Sequence, residues 1–150
     1  MIYFTKFVHY NRFGRHLKSY EVVKGMVENL PALIPANSVD YVVCTYVLCS
    51  VKDVQEALRN IHYVLKPGGK FCYLEHTRSK DLIMRTYQTI VTPIFYVILN
   101  GCHYNREPHS SIEESGLFRE TVFYLQLATS LPFYHPERTQ ASLLYSHQVS

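Results

Sequence analysis

The stretch that decides the fold is "YVVCTYVLCSVKDVQEALRNIHYVLKPGGKFCYLEH", which runs from Tyr41 to His76. It opens with a nearly uninterrupted apolar run, residues 41–47, that is rich in β-branched and aromatic side chains. Such a run is typical of a strand that is buried on both faces of a parallel sheet. The sequence therefore predicts a buried strand at the start of this stretch.

A helix and a second strand are predicted to follow. Asp53 is a residue of the N-cap type, and Glu56 stands three positions later, which is the capping-box pattern. Apolar residues then recur at steps of three and four along one helix face: Val54, Ala57, Leu58, Ile61, Val64 and Leu65. Lys-Pro-Gly-Gly at 66–69 ends the helix, because proline lacks an N–H and the glycines can reverse the chain. With "KFCYLEH" at 70–76 as the second strand, the stretch forms a βαβ unit with a right-handed crossover.

Outside this unit the predicted elements are shorter. Residues 2–12 have the spacing of a short amphipathic helix, residues 19–25 read as a strand, and residues 26–40 as a loop with two prolines. A helix is predicted over 80–99, kinked or broken before Pro93, and a short one in "SSIEESGLF" that stops at Gly116. Strands are predicted at 119–128 and 141–149.

Composition indicates one globular domain, since 47% of the 150 residues are hydrophobic and 18% are charged. The net charge of +3, without a dense Lys/Arg stripe, argues against nucleic acid as a partner. No secretory signal is recognisable at the N-terminus, so the chain is not expected to be secreted. The four cysteines include no Cys-x-x-Cys pair, which favours reduced, buried thiols, and the histidines lack the spacing of metal ligands, so no metal site is predicted.

A family resemblance rests on the segment "IPANSVDYVVCTYVLCSVKDVQEALRNIHYVLKPGGKFCYLEH", residues 34–76. It resembles the central part of class I S-adenosylmethionine-dependent methyltransferases, with their "Asn-Ser-hydrophobic-Asp" entry and "Leu-Lys-Pro-Gly-Gly" turn. The runs "VVCTYVLCSV", "LEH" and, later, "NGCHYNRE" are similar to the thiol S-methyltransferases of the methyltransferase-like seven subfamily. The resemblance implies an α/β fold: an incomplete Rossmann-like methyltransferase sheet, strands three to seven of the usual seven, with flanking helices.

The family's glycine-rich cofactor loop has no counterpart here, because no Gly-x-Gly occurs anywhere in the chain. We therefore expect residues 1–150 to be the C-terminal portion of a single methyltransferase domain that lacks this loop. In that portion, the strand at 41–47 becomes an apolar edge strand, which is open to pairing with a partner chain.

The resemblance also implies which residues meet the cofactor, S-adenosylmethionine. Val27 and Glu28 fall near its adenine, or else form an ordinary polar loop. Thr45, Tyr46 and the following Leu48 would line its methionine part, because ligands of open α/β sheets bind at the carboxyl ends of strands; the alternative is ordinary packing at a strand end.

His76, at the end of the second strand, is the candidate catalytic residue. It is either a general base for a thiol, since histidine titrates near neutrality, or a hydrogen-bonded structural histidine.

Two functions remain open at this point. The first is methyl transfer from S-adenosylmethionine to a small-molecule acceptor, which the resemblance indicates is a thiol. The second is a non-catalytic fragment or interaction partner that cannot bind the cofactor alone. The resemblance implies association with the surface of the endoplasmic reticulum or of lipid droplets, and a cytoplasmic location is the alternative.

Overall fold

The structure, a computed structural model, describes residues 2–10, 17–99, 101–121 and 141–148, and the side chains of residues 24–99 and 101–118. The strands in this part of the chain are β1 (Ile2–Tyr10), β2 (Leu17–Gly25), β3 (Val39–Thr45), β4 (Leu65–His76), β5 (Phe118–Thr121) and β6 (Ala141–Gln148). The α-helices are α1 (Leu30–Leu33), α2 (Val54–Val64), α3 (Leu82–Ile98) and α4 (Pro108–Ser115), and a 3-10 turn covers Val27–Asn29.

The main sheet has the strand order β3-β4-β6-β5. β3 and β4 are parallel and are joined by α2, whereas β6 runs antiparallel to both β4 and β5. The predicted βαβ unit and the α/β class are therefore confirmed. The carboxyl ends of β3 and β4 lie at the same edge of this sheet, so the loops that follow them meet there.

Helix α2 begins where the sequence predicts. The side chain of Asp53 accepts hydrogen bonds from the backbone N–H groups of Gln55 (2.8 Å) and Glu56 (3.1 Å), as an N-cap does. The predicted apolar face is buried: Ala57, Leu58, Ile61 and Val64 are all inaccessible to solvent. The helix ends at Val64, and β4 begins one residue later than that, so Lys-Pro-Gly-Gly forms the first part of the strand. Gly68 takes the positive φ, 74°, that the turn chemistry requires.

The core lies on one face of the main sheet, between the sheet and α2. It contains Val27, Leu30, Ile34, Cys44, Leu48, Val51, Ala57, Leu58, Ile61, Val64, Leu65, Phe71, Tyr73 and Ile112. The other face is open at β3, where the side chains of Tyr41 and Val43 are 61% and 62% exposed. β3 is also the edge strand of the described sheet, as predicted. Exposed and buried side chains occur in the same strand because successive side chains point to opposite faces of the sheet.

Two predictions at the N-terminal end are wrong. Residues 2–12 were expected to be helical, but β1 pairs antiparallel with β2 in a separate two-stranded sheet, from Ile2 opposite Gly25 to Tyr10 opposite Leu17. The aromatic and β-branched residues of this segment suit a strand as well as a helix, and pairing with β2 decides between them. The predicted loop at 26–40 also contains a 3-10 turn and α1.

Two predictions for the C-terminal half are confirmed. Helix α4 ends at a left-handed Gly116 with φ 63°, and β6 confirms the last predicted strand. β5 covers only the first residues of the strand predicted at 119–128, and residues 122–128 lie outside the described part of the chain.

Helix α3 is attached through a buried polar side chain to the loop that connects it to β4. Among its residues, all of them described, only Gln88 is buried. The Gln88 side chain accepts a hydrogen bond from the N–H of Ser79 (2.8 Å) and donates one to the carbonyl of Thr77 (3.1 Å). Large apolar side chains of this helix are exposed: Leu82, Ile83, Ile90, Ile94, Val97 and Ile98. The helix is not broken before Pro93, and none of the described helices is long and apolar enough to cross a membrane.

Candidate functional site at the carboxyl edge of the sheet

A buried carboxylate fixes the loop that follows β3. Glu75, only 1% exposed in β4, accepts hydrogen bonds from the backbone N–H groups of Val47 (2.7 Å), Leu48 (2.9 Å) and Cys49 (3.2 Å). Burial raises the pKa of Glu75 above its usual value, and the three N–H groups act in the opposite direction. The loop is therefore tied to the end of the neighbouring strand through its own backbone.

The same loop is held from its other side by the turn after α3. Nη1 of Arg106 donates to the carbonyl oxygens of Leu48 (3.0 Å) and Val51 (2.6 Å). The N–H of His103 donates to the carbonyl of Cys49 at 2.7 Å. Since buried backbone groups are costly to leave unpaired, these bonds fix the position of both segments.

Two cysteines and one histidine meet at this edge, and we call them the Cys49–His76–Cys102 cluster. The sulfur atoms of Cys49 and Cys102 lie 3.4 Å apart, and Sγ of Cys102 lies 3.4 Å from Nδ1 of His76. One ligand atom from each of the three residues can be chosen so that all lie within 4.8 Å of one another. Cys49 is fully buried and Cys102 is 3% exposed, and both are free thiols.

The two thiols have opposite pKa shifts. Contact with Cys102, followed by burial, raises the pKa of Cys49, whereas contact with Cys49 lowers the pKa of Cys102. The cause is that one thiolate of the pair is stabilised by the thiol proton that the other retains. The two thiols therefore interact directly, and the protonation of one depends on that of the other.

Aromatic rings enclose His76. Its imidazole is stacked on the ring of Tyr46, with centroids 4.4 Å apart at an interplanar angle of 30°, and meets the edge of Tyr104 at 5.0 Å. Tyr46 has a φ of 55°, in the left-handed region that a bulky residue rarely adopts. Strained backbone of this kind is concentrated at functional sites. Burial raises the pKa of Tyr104, which keeps its hydroxyl protonated at neutral pH.

The structure brings some of the predicted site residues together. Thr45, Tyr46 and His76 lie at the same edge, with Thr45 exposed and Tyr46 38% exposed. The side chain of Leu48 is fully buried in the core, and its backbone N–H and carbonyl are bonded to Glu75 and Arg106. The ligand-binding roles of these residues stay predictions.

The two predicted adenine-side residues are engaged in other contacts. Val27 is fully buried, and its carbonyl accepts a hydrogen bond from the Asn60 side chain at 3.1 Å. The carboxylate of Glu28 accepts one from the N–H of Lys52 at 3.3 Å. Their cofactor role also stays a prediction.

The sequence did not indicate that Cys49 and Cys102 belong to one site. They are 53 positions apart, and no short metal-binding or redox motif links them. Cys49 could have been found beside His76, since both follow the ends of parallel strands. Cys102 follows a helix and carries no such signal, so the expectation of no metal site rested on spacing alone.

Comparison with known proteins gives consistent matches. A family model described as a methyltransferase domain matches residues 4–73. The chain is 32% identical over 124 residues to thiol S-methyltransferase TMT1A of Homo sapiens, a match that covers 82% of this chain and 50% of that protein. It is 36% identical over 106 residues to thiol S-methyltransferase TMT1B of Rattus norvegicus, covering 68% and 42%. The chain thus spans about half the length of the curated relatives that it matches.

Solved structures agree on the fold. A SAM-dependent methyltransferase of Thermotoga maritima superposes with a TM-score of 0.57 at 20% identity, covering 85% of this chain and 63% of that one. The β3-β4-β6-β5 order, with its antiparallel β6, is consistent with part of a Rossmann-like sheet. In sequence and in fold together, this chain is thus similar to part of the S-adenosylmethionine-dependent methyltransferases.

Proposed function

We propose that this chain takes part in the transfer of a methyl group from S-adenosylmethionine to a small thiol. The observation that carries the proposal is the stack of Tyr46 on His76 at 4.4 Å. Tyr46 follows the strand end that is expected to face the cofactor, and His76 is expected to face the acceptor, so this contact links the two halves of the reaction. The two relatives described above are both named as thiol S-methyltransferases, which supports a thiol as the acceptor.

The described residues fit one side of a cofactor site. Thr45 and Tyr46 are exposed at the carboxyl end of β3, where open α/β sheets bind their ligands. The loop behind them is fixed by Glu75, so its geometry is set before a ligand arrives. S-Adenosylmethionine, when bound, supplies a methyl group on a positively charged sulfur. The glycine-rich loop expected of the family's cofactor site has no counterpart, because the chain contains no Gly-x-Gly.

The chain's own task is then to prepare and orient the acceptor. A thiol becomes an effective nucleophile only after it has lost its proton. His76 lies at the same edge as Tyr46, within reach of a thiol placed beside the cluster. In the simplest form of the proposal, His76 takes that proton as a general base and the tyrosine rings exclude water from it.

Calorimetric titration with S-adenosylhomocysteine, the product of the cofactor, tests the proposal directly. We expect binding in the micromolar range, roughly −8 kcal/mol, by the folded 150-residue chain. Tyr46→Ala should weaken this binding about tenfold. Tyr63→Ala serves as the matched control and should leave binding unchanged. Tyr63 is 46% exposed on α2, and its carbonyl accepts from the N–H of Asn37 (3.0 Å), which precedes the amino end of β3.

A second measurement addresses the acceptor. The chain is incubated with S-adenosylmethionine and 2-mercaptoethanol, and the methyl thioether is sought by mass spectrometry. A chain that is folded by circular dichroism but gives no heat with S-adenosylhomocysteine contradicts the proposal and supports the non-catalytic alternative. Cofactor binding without thioether formation contradicts the thiol acceptor alone.

We also propose that the chain associates with a membrane surface. Exposed Ile83, Ile90 and Val97 of α3 are the kind of apolar side chains that enter the interface of a bilayer. The chain should therefore float with phosphatidylcholine vesicles in a density gradient, and Ile83→Lys should reduce the bound fraction. Equal flotation of the variant and the parent chain would contradict a role for α3.

A further inference from the structure

We infer that Cys49, His76 and Cys102 form a zinc site whose fourth coordination position is left for the sulfur of a thiol. The inference rests on the proposed function for the identity of that thiol, and on the geometry of the cluster for the metal. Two thiolates and one imidazole are a ligand set that zinc favours. Three protein ligands with one exchangeable position are the arrangement of catalytic zinc sites, whereas structural sites are closed by four.

The distances fit a single tetrahedral ion. With Zn–S of about 2.3 Å and Zn–N of about 2.0–2.1 Å, tetrahedral angles place two sulfurs about 3.8 Å apart and a sulfur and a nitrogen about 3.6 Å apart. The structure has 3.4 Å between the sulfurs of Cys49 and Cys102 and 3.4 Å between Sγ of Cys102 and Nδ1 of His76. The ligand atoms lie within 4.8 Å of one another throughout, so small side-chain rotations suffice to bind one ion.

The backbone around the ligands is already fixed. Cys49 is held by Glu75 at its N–H (3.2 Å) and by His103 at its carbonyl (2.7 Å), and His103 is the residue next to Cys102. One backbone hydrogen bond thus joins the ligand Cys49 to the residue that follows the ligand Cys102. Partners that orient metal ligands in this way raise the affinity of a site, since less conformational entropy is lost on binding.

Groups around the cluster suit thiolate ligands. The hydroxyl of Ser50 lies 3.6 Å from the sulfur of Cys49 and can donate to it. The rings of Tyr46 and Tyr104 fix the plane of the His76 imidazole. The buried carboxylate of Glu75 adds negative charge nearby, which favours a cation over an empty pair of thiols.

The site gives the proposed reaction a source of thiolate. An acceptor thiol releases its proton to solvent as its sulfur binds the metal, in the way that zinc lowers the pKa of bound water. The sulfur lone pair then forms a bond to the methyl carbon. The bond from that carbon to the sulfonium sulfur breaks, and its electron pair stays on S-adenosylhomocysteine. A neutral thioether leaves the metal. In this scheme His76 is a metal ligand, and this role replaces the general-base role described above.

The test uses the whole chain, reduced and freed of metal, and titrated with Co²⁺ as a spectroscopic substitute for zinc. We expect one ion per chain, strong visible bands of a four-coordinate complex and a near-ultraviolet thiolate charge-transfer band. Zinc should displace the cobalt. Addition of 2-mercaptoethanol should increase the charge-transfer band, because a further thiolate enters the open position. This readout needs neither S-adenosylmethionine nor activity, so failure of the proposed function leaves it intact.

Variants locate the ligands. Cys49→Ser and Cys102→Ser should each weaken the affinity for cobalt more than about 100-fold, since loss even of a residue that only orients a ligand costs about 10–100-fold. Cys72→Ser is the matched control, because this half-buried thiol of β4 lies outside the cluster, and it should bind as the parent chain does.

Protection of the native thiols provides evidence that does not depend on variant folding. Zinc should shield Cys49 and Cys102 of the parent chain, but not Cys72, from iodoacetamide, as mapped by mass spectrometry. Absence of the cobalt bands, equal binding by the serine variants, or a Cys49–Cys102 disulfide that persists after treatment with reductant would each overturn the inference. A cobalt spectrum that 2-mercaptoethanol does not change would overturn the open fourth position.

Discussion

Replacement of Glu75 by glutamine should destabilise the chain through the loop that this carboxylate fixes. Oε1 accepts from Val47 (2.7 Å) and Leu48 (2.9 Å), and Oε2 accepts from Cys49 (3.2 Å). Glutamine keeps one oxygen but turns an NH₂ group toward a backbone N–H, which loses a charge-assisted bond worth about 1.5–3 kcal/mol. The neutral amide recovers part of the cost of burying a charge. We therefore expect a net loss of about 1–3 kcal/mol at pH 7.

Urea unfolding followed by circular dichroism measures this loss. Glu114→Gln is the control, because Glu114 is exposed on α4 and should change stability by less than about 0.5 kcal/mol. A Glu75→Gln variant that is as stable as the parent chain, or a control that loses as much, would refute the reasoning.

The pH dependence of the stability difference between the parent chain and Glu75→Gln gives a second check. Burial raises the folded pKa of Glu75 above 4.5, so the folded chain holds this proton at a higher pH than the unfolded chain does. The resulting stabilisation is fully present below 4.5 and is lost as pH rises through the folded pKa. The parent chain should therefore gain stability over Glu75→Gln as the pH is lowered.

Three further changes have expected sizes. Arg106→Ala leaves the carbonyls of Leu48 and Val51 without their donor and should cost about 2–3 kcal/mol in urea unfolding; Arg106→Lys should recover part of it. Asp53→Ala removes the N-cap of α2 and should cost about 0.5–2 kcal/mol, seen also as lost helical circular dichroism. Burial raises the pKa of Cys44 far above 9.0, so Cys44 should lower the stability by about 1.4 kcal/mol at pH 10 relative to neutral pH. Cys44→Ala should lose this contribution and keep that of Cys49, whose pKa is also raised.

The part of the fold that the sequence predicted well is the part that local chemistry determines. The N-cap at Asp53, the apolar face of α2 and the left-handed Gly116 each depend on residues within a few positions of one another. Segment 2–10 was misread because its aromatic residues fit two periods, and its strand forms through pairing with residues 17–25. The residue pattern of either segment alone does not predict that the two segments pair.

The site shows the same division. Tyr46 and His76 were expected at one edge because both follow the ends of parallel strands, and their rings are in contact. Cys102 joins them only because α3 and its following turn return to that edge, where His103 bonds to Cys49. Neither the spacing of the cysteines nor their neighbours in the sequence records this return.

The polar attachment of α3 has a consequence for access to the cluster. Helix α3 is held by two hydrogen bonds of Gln88 and by ring contacts of Phe95 and Tyr96 with the turn that follows it. It can therefore open without exposing the apolar core, whereas α2 cannot. Amide hydrogens of α3 should thus exchange with solvent at a much smaller opening free energy than those of α2. Because the turn that carries Cys102 continues from the end of α3, each such opening would draw this thiol away from Cys49 and admit a molecule from solvent. The rate of local opening, rather than that of global unfolding, would then set how often the buried sulfur atoms can be reached.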